Sequence, residues 1–437
     1  MTTSRISRKD CDFSAYRAFT CKLRKLASTP LVDRAWTKRV DACLDGTAGA
    51  ELRRLVKLPV RRAFGVFFTG SKLAERLLGK LRFNPTADFI YDPAVGAGDL
   101  LLAAARRLPL CQTLTATLEA WGGCLAGTDL QAEFIAAAKL RIALLARQRH
   151  GKTAELPKNW RKYFPFICTG NGLSQPALYS RATHLVMNPP FSVSGPLEDC
   201  QWAGGRVSDA ALFVVRALEQ AEAGTRLRAI LPDVLRSGSF KHHWRQRVSD
   251  LAEVNSVKRY GIFDKSADID VFLLSAKRRQ GEPAKVRRWP KSAKRATRTV
   301  GDFFDVHVGS VVPHRDPEKG PEHPYIHPRC VPTWTVLREF SETRQHEGLV
   351  YEPPFIVIRR TSRPSHPYRA TATVISGTRP LAVENHLIVC APKKKTLSSC
   401  RELMRQFKTK TVNDFLNARI RCRHLTVGVV REIPWAS

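Results

Sequence analysis

The chain has 437 residues, with 72 Lys and Arg against 39 Asp and Glu and a formal net charge of +33. That length accommodates two or three domains with proper cores. The charge excess argues against an enzyme of small molecules alone, and it suits a polyanion that carries one negative charge per ~1.7 Å and releases counterions when bound.

The first 60 residues are basic and helical in pattern. Residues 16–26 and 31–44 are expected to form helices broken at Thr29-Pro30, covering a sheet edge. From 61 to 280, strand and helix signals alternate, as in a mostly parallel α/β sheet with helices on both faces. Phe89, Ile90 and Tyr91 form a short buried strand that Asp92 and Pro93 end. Gly96 and Gly98 then allow a tight turn and close backbone approach to a ligand. Residues 100–108 follow with apolar side chains at helical spacing. Strand, glycine loop and helix in that order occupy the place where doubly wound sheets bind nucleotides. The third glycine of the dinucleotide fingerprint is absent, which argues against NAD.

A second acidic strand end is Leu125-Ala-Gly-Thr-Asp-Leu130. Asp129 suits the two hydroxyls of a ribose, or alternatively the cap of a helix over 131–147. It lies further from the glycines than the ~20 positions of dinucleotide folds, so segment 111–123 lengthens the crossover. The apolar run 183–187 then closes on Asn188-Pro189-Pro190-Phe191. An Asn, two prolines and an aromatic at a strand's carboxyl end make a rigid hydrogen-bonding platform. Such a platform can hold a planar amino group by its hydrogens while the aromatic lies on the ring behind it.

Taken together, these motifs resemble the S-adenosylmethionine-dependent N6-adenine DNA methyltransferases of restriction–modification systems, in the gamma motif order. Phe67-Phe68-Thr69-Gly70 resembles the upstream cofactor motif, Asp92-Pro93-Ala94-Val95-Gly96-Ala97-Gly98 the glycine loop, and Asn188 to Phe191 the catalytic motif. Ile230-Leu231-Pro232 resembles the next strand, and Gly261-Ile262-Phe263 the late motif whose aromatic helps hold the target base. The resemblance implies a Rossmann-like methyltransferase fold over 61–280, a helical segment over 1–60, and an α+β target-recognition domain over 281–437. It implies S-adenosylmethionine as cofactor, held by Thr69, Asp92, Pro93, Ala94, Gly96, Gly98, Asp129 and Asn171. Asn188, Pro189, Pro190 and Phe191 would be catalytic, with Phe191 and Phe263 stacking on a flipped-out adenine. Double-stranded DNA is the implied partner. A restriction endonuclease or specificity subunit, where one accompanies it, would be a separate chain.

The sequence departs from the family pattern at Gly70, where Pro is usual after Thr. It departs again at Asn171, where an Asp usually binds the cofactor's adenine. From residue 278 to 298, Lys, Arg and Pro dominate, which marks a domain boundary and a phosphate-contacting segment. Beyond it come short apolar runs at 303–312, 355–360 and 386–391, and a final stretch over 412–430 that reads as helical and then extended. Arg359, Arg360 and Arg363 follow an apolar strand and are candidate DNA contacts. The histidines at 314, 323, 327 and 366 lack ligand spacing, and the 11 cysteines form no Cys-x-x-Cys pair, so no metal is expected. Those scattered cysteines, together with no apolar stretch near the ~20 residues of a membrane span, fit a soluble, reduced, cytoplasmic protein. Two other activities share these signals: a methyltransferase of the same fold acting on RNA or protein glutamine, and a catalytically silent DNA-binding relative.

Overall fold

A computed structural model describes residues 13–30, 33–151, 154–195, 197, 200–203, 206–238, 241–263, 269–281, 289, 297–421 and 423–435. The chain divides into two compact units, one of Met1–Arg236 with Phe240–Arg287, the other of Ser237–Ser239 with Arg288–Ser437. Most of the Lys/Arg/Pro-rich stretch read from the sequence at 278–298 lies outside the described residues.

The first unit is built on a seven-stranded sheet. Its strands are β1 (Ile90–Asp92), β2 (Leu125–Asp129), β3 (Ile167–Thr169), β4 (His184–Met187), β7 (Arg226–Pro232), β8 (Ala252–Ile262) and β9 (Asp270–Arg278). A two-stranded ribbon, β5 (Val193–Ser194) with β6 (Val207–Ser208), stands apart from it. The order across the large sheet is β3-β2-β1-β4-β7-β9-β8. The first five strands are parallel, and the β8–β9 hairpin closes one edge antiparallel. Every residue of β1 and β4 is buried, as expected of central parallel strands covered on both faces. The chain runs outward from β1 in one direction through β2 and β3, and then returns to β4 on β1's other side. The loops leaving the carboxyl ends of β1 and β4 therefore diverge and open a crevice between them.

Helices cover the sheet and share its core. The helix Ala132–His150 is buried along most of its length, so its apolar pattern runs almost all round. The amino-terminal helices Arg17–Ser28 and Arg34–Leu44 pack on it, and Phe13, Tyr16, Phe19, Leu23 and Trp36 join the same apolar cluster as Ile90 and Leu101. Two arginines of that helix are almost fully buried. Arg147 satisfies the end of Arg17–Ser28 through the carbonyls of Leu26, Ala27 and Thr29. The segment expected to lengthen the β1–β2 crossover forms the helix Leu114–Cys124, capped by Thr113.

The second unit holds β10 (Phe304–Val308), β11 (Glu322–Ile326), β12 (Val336–Leu337), β13 (Thr343–Gln345), β14 (Phe355–Arg359), β15 (Ala372–Ile375), β16 (Ala382–Val383) and β17 (Leu387–Pro392). Five of these form a sheet in the order β10-β17-β14-β15-β12, and β13-β11-β16 form a smaller one. Alternation along β14 is strict. Ile356 and Ile358 enter one apolar cluster with the helices, while Phe355 and Val357 enter a second cluster on the other face. The carboxyl-terminal stretch corrects the sequence reading. Its helical first part is the helix Lys410–Arg419, which follows Leu397–Phe407; His424 then bridges to Thr361, and a third short helix, Val427–Arg431, stands where the stretch was expected to end extended. Thr396, Thr409 and Thr426 cap them, accepting the backbone N–H groups of Ser399, Val412 and Val429. Those threonines were the sequence signal that apolar spacing alone missed. No helix among the described residues is long and apolar enough to cross a membrane.

Candidate active site

The crevice at the carboxyl ends of β1 and β4 gathers most of the residues singled out in the sequence. Thr69, Asp92, Ala94, Gly96 and Asn188 line one cleft, with Phe67, Phe68 and Asp99.

The glycine loop is held by Asp129. Its Oδ2 accepts the Gly96 amide at 3.0 Å and its Oδ1 the Gln131 amide at 2.9 Å, so it closes the loop and fixes the turn into the next helix, whose N-cap is Gln131 rather than Asp129. Asp92 accepts the Ala94 amide at 3.0 Å. Gly96 has φ +50°, and a Cβ there would stand 2.9 Å from the Phe68 ring; Gly98 has φ +85° and lies against Ala138. Both glycines are therefore required by conformation and by space. Pro93 presents its carbonyl to Gly172, where a Cβ would meet it at 1.8 Å. This brings the loop after β3 against the loop after β1. Asn171, just before Gly172, is exposed. Its Oδ1 accepts the Leu173 amide at 3.0 Å and starts a short turn.

Three carboxyls gather around this cleft inside a basic chain. Burial pushes the Asp92 carboxyl up to about 8 against the Ala94 hydrogen bond, with the charges of Asp129 and Asp99 adding to the shift. Burial likewise raises Asp129 to about 6, opposed by the amides of Gln131, Gly96 and Leu130. Asp99 is paired with the buried Arg141 at 2.8 Å, and its second oxygen accepts the Gly70 amide at 2.7 Å. Gly70 has φ +72°. A proline there would lack both that conformation and the N–H, so the departure from Thr-Pro is matched by a different anchor.

On the β4 side, Asn188 is oriented by its amide nitrogen. Nδ2 donates to the Phe67 carbonyl at 3.0 Å and to Thr69 Oγ1 at 3.1 Å. Its Oδ1 is buried and has no hydrogen-bond partner. Pro189 is buried and Pro190 half-buried beside it. Phe191 meets Phe263 edge to face, with centroids 5.4 Å apart, and Phe67 meets Phe263 in the same manner at 6.5 Å. The two expected stacking rings thus touch each other, and no base fits between them until the Phe263 ring turns aside. The loop's exit is pinned by Asp209. This buried carboxylate accepts the hydroxyls of Ser192 and Ser194, and its own amide donates to the Ser192 carbonyl.

Several of these residues escaped sequence reasoning. Asp99 and Arg141 were visible as an acid in a first helical turn and as an arginine inside an apolar helix. Asp209 likewise opens an apolar helix. Gly65 had no signal beyond being glycine. It has φ +64°, and a Cβ there would lie 2.5 Å from the Phe191 amide nitrogen. Leu130 follows Asp129 and is 65% exposed at the rim.

In the second unit, Arg359 and Arg360 are half-buried, donating to the carbonyls of Val331 at 3.5 Å and Asn385 at 3.2 Å, while Arg363 is exposed. His327, read as lacking ligand spacing, shares a cluster with Cys330 and Glu342, because strand pairing brings together residues that the sequence separates.

No family model matches the chain, and no curated protein matches it in sequence. Solved structures do match. What they share with this chain is the fold, a mixed α/β architecture with a large, mostly parallel sheet. The type IIL restriction-modification enzyme MmeI, solved in complex with DNA, aligns over 98% of this chain and 70% of its own, with 10% identity and a TM-score of 0.51. A protein described as the modification subunit of a type I restriction enzyme from Vibrio vulnificus YJ016 aligns over 53% of this chain at 17% identity and a TM-score of 0.38; the chain spans about half, 49%, of its length. One described as a class I S-adenosylmethionine-dependent methyltransferase from Listeria monocytogenes aligns over 64% of this chain and 92% of its own, at 14% identity and a TM-score of 0.35.

Proposed function

We propose that the chain is a site-specific DNA methyltransferase that uses S-adenosylmethionine to methylate the N6 amine of a flipped-out adenine, within a restriction–modification or related defence system. The observation that carries this reading is the Asn188 amide. Its nitrogen is fixed by Phe67 and Thr69, and its oxygen is buried with no partner at the mouth of the glycine-loop cleft. A buried acceptor left unmade costs on the order of 1–3 kcal/mol, and a donor from a ligand would offset that cost.

The residues fit the cofactor. Gly96 and Gly98 keep the loop clear of side chains, and Asp92, Asp99 and Asp129 set negative charge around a ligand that carries a sulfonium and an ammonium. Asp129 accepts the Gly96 and Gln131 amides, with Leu130 close by, and a carboxylate's remaining lone pairs leave acceptor capacity for ribose hydroxyls. The exposed Leu130 offers an apolar face beside it for a purine. Asn171 stands on the adjoining loop, its side-chain oxygen accepting the Leu173 amide and its nitrogen donating to Ser174 Oγ at 3.4 Å, with a second N–H left for an adenine edge. When bound, S-adenosylmethionine supplies an electrophilic methyl group on a positively charged sulfur.

The chain's own residues then prepare the nucleophile. Asn188 Oδ1 and the Pro189 carbonyl each accept one hydrogen of the adenine amine. This draws the nitrogen toward tetrahedral geometry and turns its lone pair to the methyl carbon. Phe191 stacks on the extruded base. Pro190 limits the loop's backbone freedom, and Asp209 fixes its exit. Orientation and electrostatic complementarity supply the acceleration. The net charge of +33 suits a duplex, and Arg359, Arg360 and Arg363 are the proposed DNA contacts, with Arg363 the most accessible.

The deciding experiment offers methyl-labelled cofactor with DNA, RNA and protein substrates, followed by digestion and mass analysis of the product. Label on N6-methyladenine from DNA is the expected result. Label on RNA or on glutamine would assign the same pocket to another substrate. Cofactor binding without transfer to any of them would mark a silent DNA-binding relative.

A further inference from the structure

A second candidate site lies in the other unit and has no bearing on methyl transfer. β11 and β13 pair antiparallel, Glu322 with Gln345 and Pro324 with Thr343, and the Tyr325 amide donates to the Glu342 carbonyl. His327 and Glu342 therefore face each other across the neck of a 15-residue excursion whose tip, β12, joins the larger sheet through β15. The imidazole Nε2 stands 2.9 and 3.1 Å from the two Glu342 oxygens. Cys330 returns through the tight turn after His327, its sulfur 3.2 Å from the His327 amide nitrogen. One donor atom from each of the three residues lies within 4.8 Å of the others. Bond lengths of about 2.0–2.3 Å to zinc put neighbouring donors roughly 3–4 Å apart, so side-chain rotation alone closes the set.

The surroundings favour a cation. Glu384, paired with His386 at 2.7 Å, lines the adjoining cleft with His327 and Arg329.

We propose that His327, Cys330 and Glu342 bind a divalent cation of the zinc class, with the fourth position open toward Glu384 or water, and that the ion staples the neck of the 327–342 excursion. The mixed nitrogen, sulfur and carboxylate set suits zinc better than magnesium or calcium, which prefer oxygen alone. Binding replaces the thiol proton of Cys330, which leaves to solvent. It also replaces the hydrogen that Nε2 directs at Glu342. The imidazole stays neutral with its hydrogen on Nδ1, giving up the 3.2 Å contact from the Arg329 amide.

The test uses the full chain, stripped with a chelator and titrated with cobalt(II) alone and then zinc alone. The expected result is a sulfur-to-cobalt charge-transfer band that saturates at one ion per chain, is displaced by zinc, and disappears in Cys330→Ser. Glu342→Gln should weaken cobalt binding at least ~10-fold, and zinc should raise the Tm of the unmodified protein. Absence of the band in the unmodified protein overturns the proposal. So does a band that survives Cys330→Ser, since the chain has ten other cysteines that could supply it. Methyl transfer is not a readout, so failure here leaves the reading of the first unit untouched.

Discussion

The two sides of the crevice are built on opposite terms. On the β1–β2 side the key carboxylates are already engaged by backbone amides: Asp129 by Gly96 and Gln131, Asp92 by Ala94, and Asp99 by Gly70. On the β4 side the decisive atom, Asn188 Oδ1, has no partner, and the aromatic rings that would flank a base occupy each other's space. The first side is a preformed cradle and the second is a site completed by its ligand. A satisfied acceptor does scaffold work and tolerates an absent ligand. An unsatisfied buried acceptor persists only where the surrounding structure holds it and something else later fills it.

Substitutions on the β4 side should break that contrast most sharply. Asn188→Ala should lower kcat by roughly 10²–10³-fold, the scale for losing one transition-state acceptor, while calorimetry shows cofactor binding retained. Turnover like that of the unmodified protein would refute the role. Gly65→Ala is expected to act on the same loop through the backbone. The left-handed φ and the approach to Phe191 together should cost about 1–3 kcal/mol of stability, read as a lowered Tm, and the displaced loop should lower kcat more than it alters cofactor affinity.

On the cradle side the effects should be smaller and fall on binding. Asp129→Ala removes a charged acceptor and should weaken the cofactor by roughly 10–100-fold, from about 1.5–3 kcal/mol for such hydrogen bonds. Unchanged affinity by calorimetry would confine Asp129 to holding the glycine loop.

The smallest effect concerns pH. Asp92 and Asp129 have folded pKa values of about 8 and about 6, above the ordinary carboxylate range. The folded protein therefore binds more protons than the unfolded chain below these values, and its stability should fall as pH rises toward about 8. A cationic ligand favours the ionised carboxylates, so cofactor affinity should rise over the same interval and level off above it. Binding near neutral pH should release protons, and calorimetry in buffers of different ionisation enthalpy would measure this. Affinity that is flat from pH 6 to 9 would show that the ligand does not lie against these acids.

Much of the crevice was legible because parallel strands announce themselves. β1 and β4 are short, wholly buried runs; β1 takes in Asp92 and stops at Pro93, and β4 stops before Asn188-Pro189. The glycines at 96 and 98 required the conformation and the close approach that the structure gives them. The second unit was less legible. Its carboxyl-terminal helices are short, and their threonine caps carry more information than their apolar spacing. The zinc-class cluster was invisible, because Glu342 reaches His327 only through the register of β11 against β13.

The succession of short buried strands along the chain, the glycine loop and the position of the Asn-Pro-Pro-Phe platform follow from local chemistry, since each depends on burial and backbone preference within a few residues. What tertiary structure alone decided is which atoms are satisfied. That Asn188 nitrogen is held by Phe67 and Thr69 while its oxygen is left bare depends on a contact between residues 119 and 121 positions apart. That Gly65 crowds Phe191, and that Asp99 anchors Gly70, likewise depends on packing between distant segments, which no local pattern encodes.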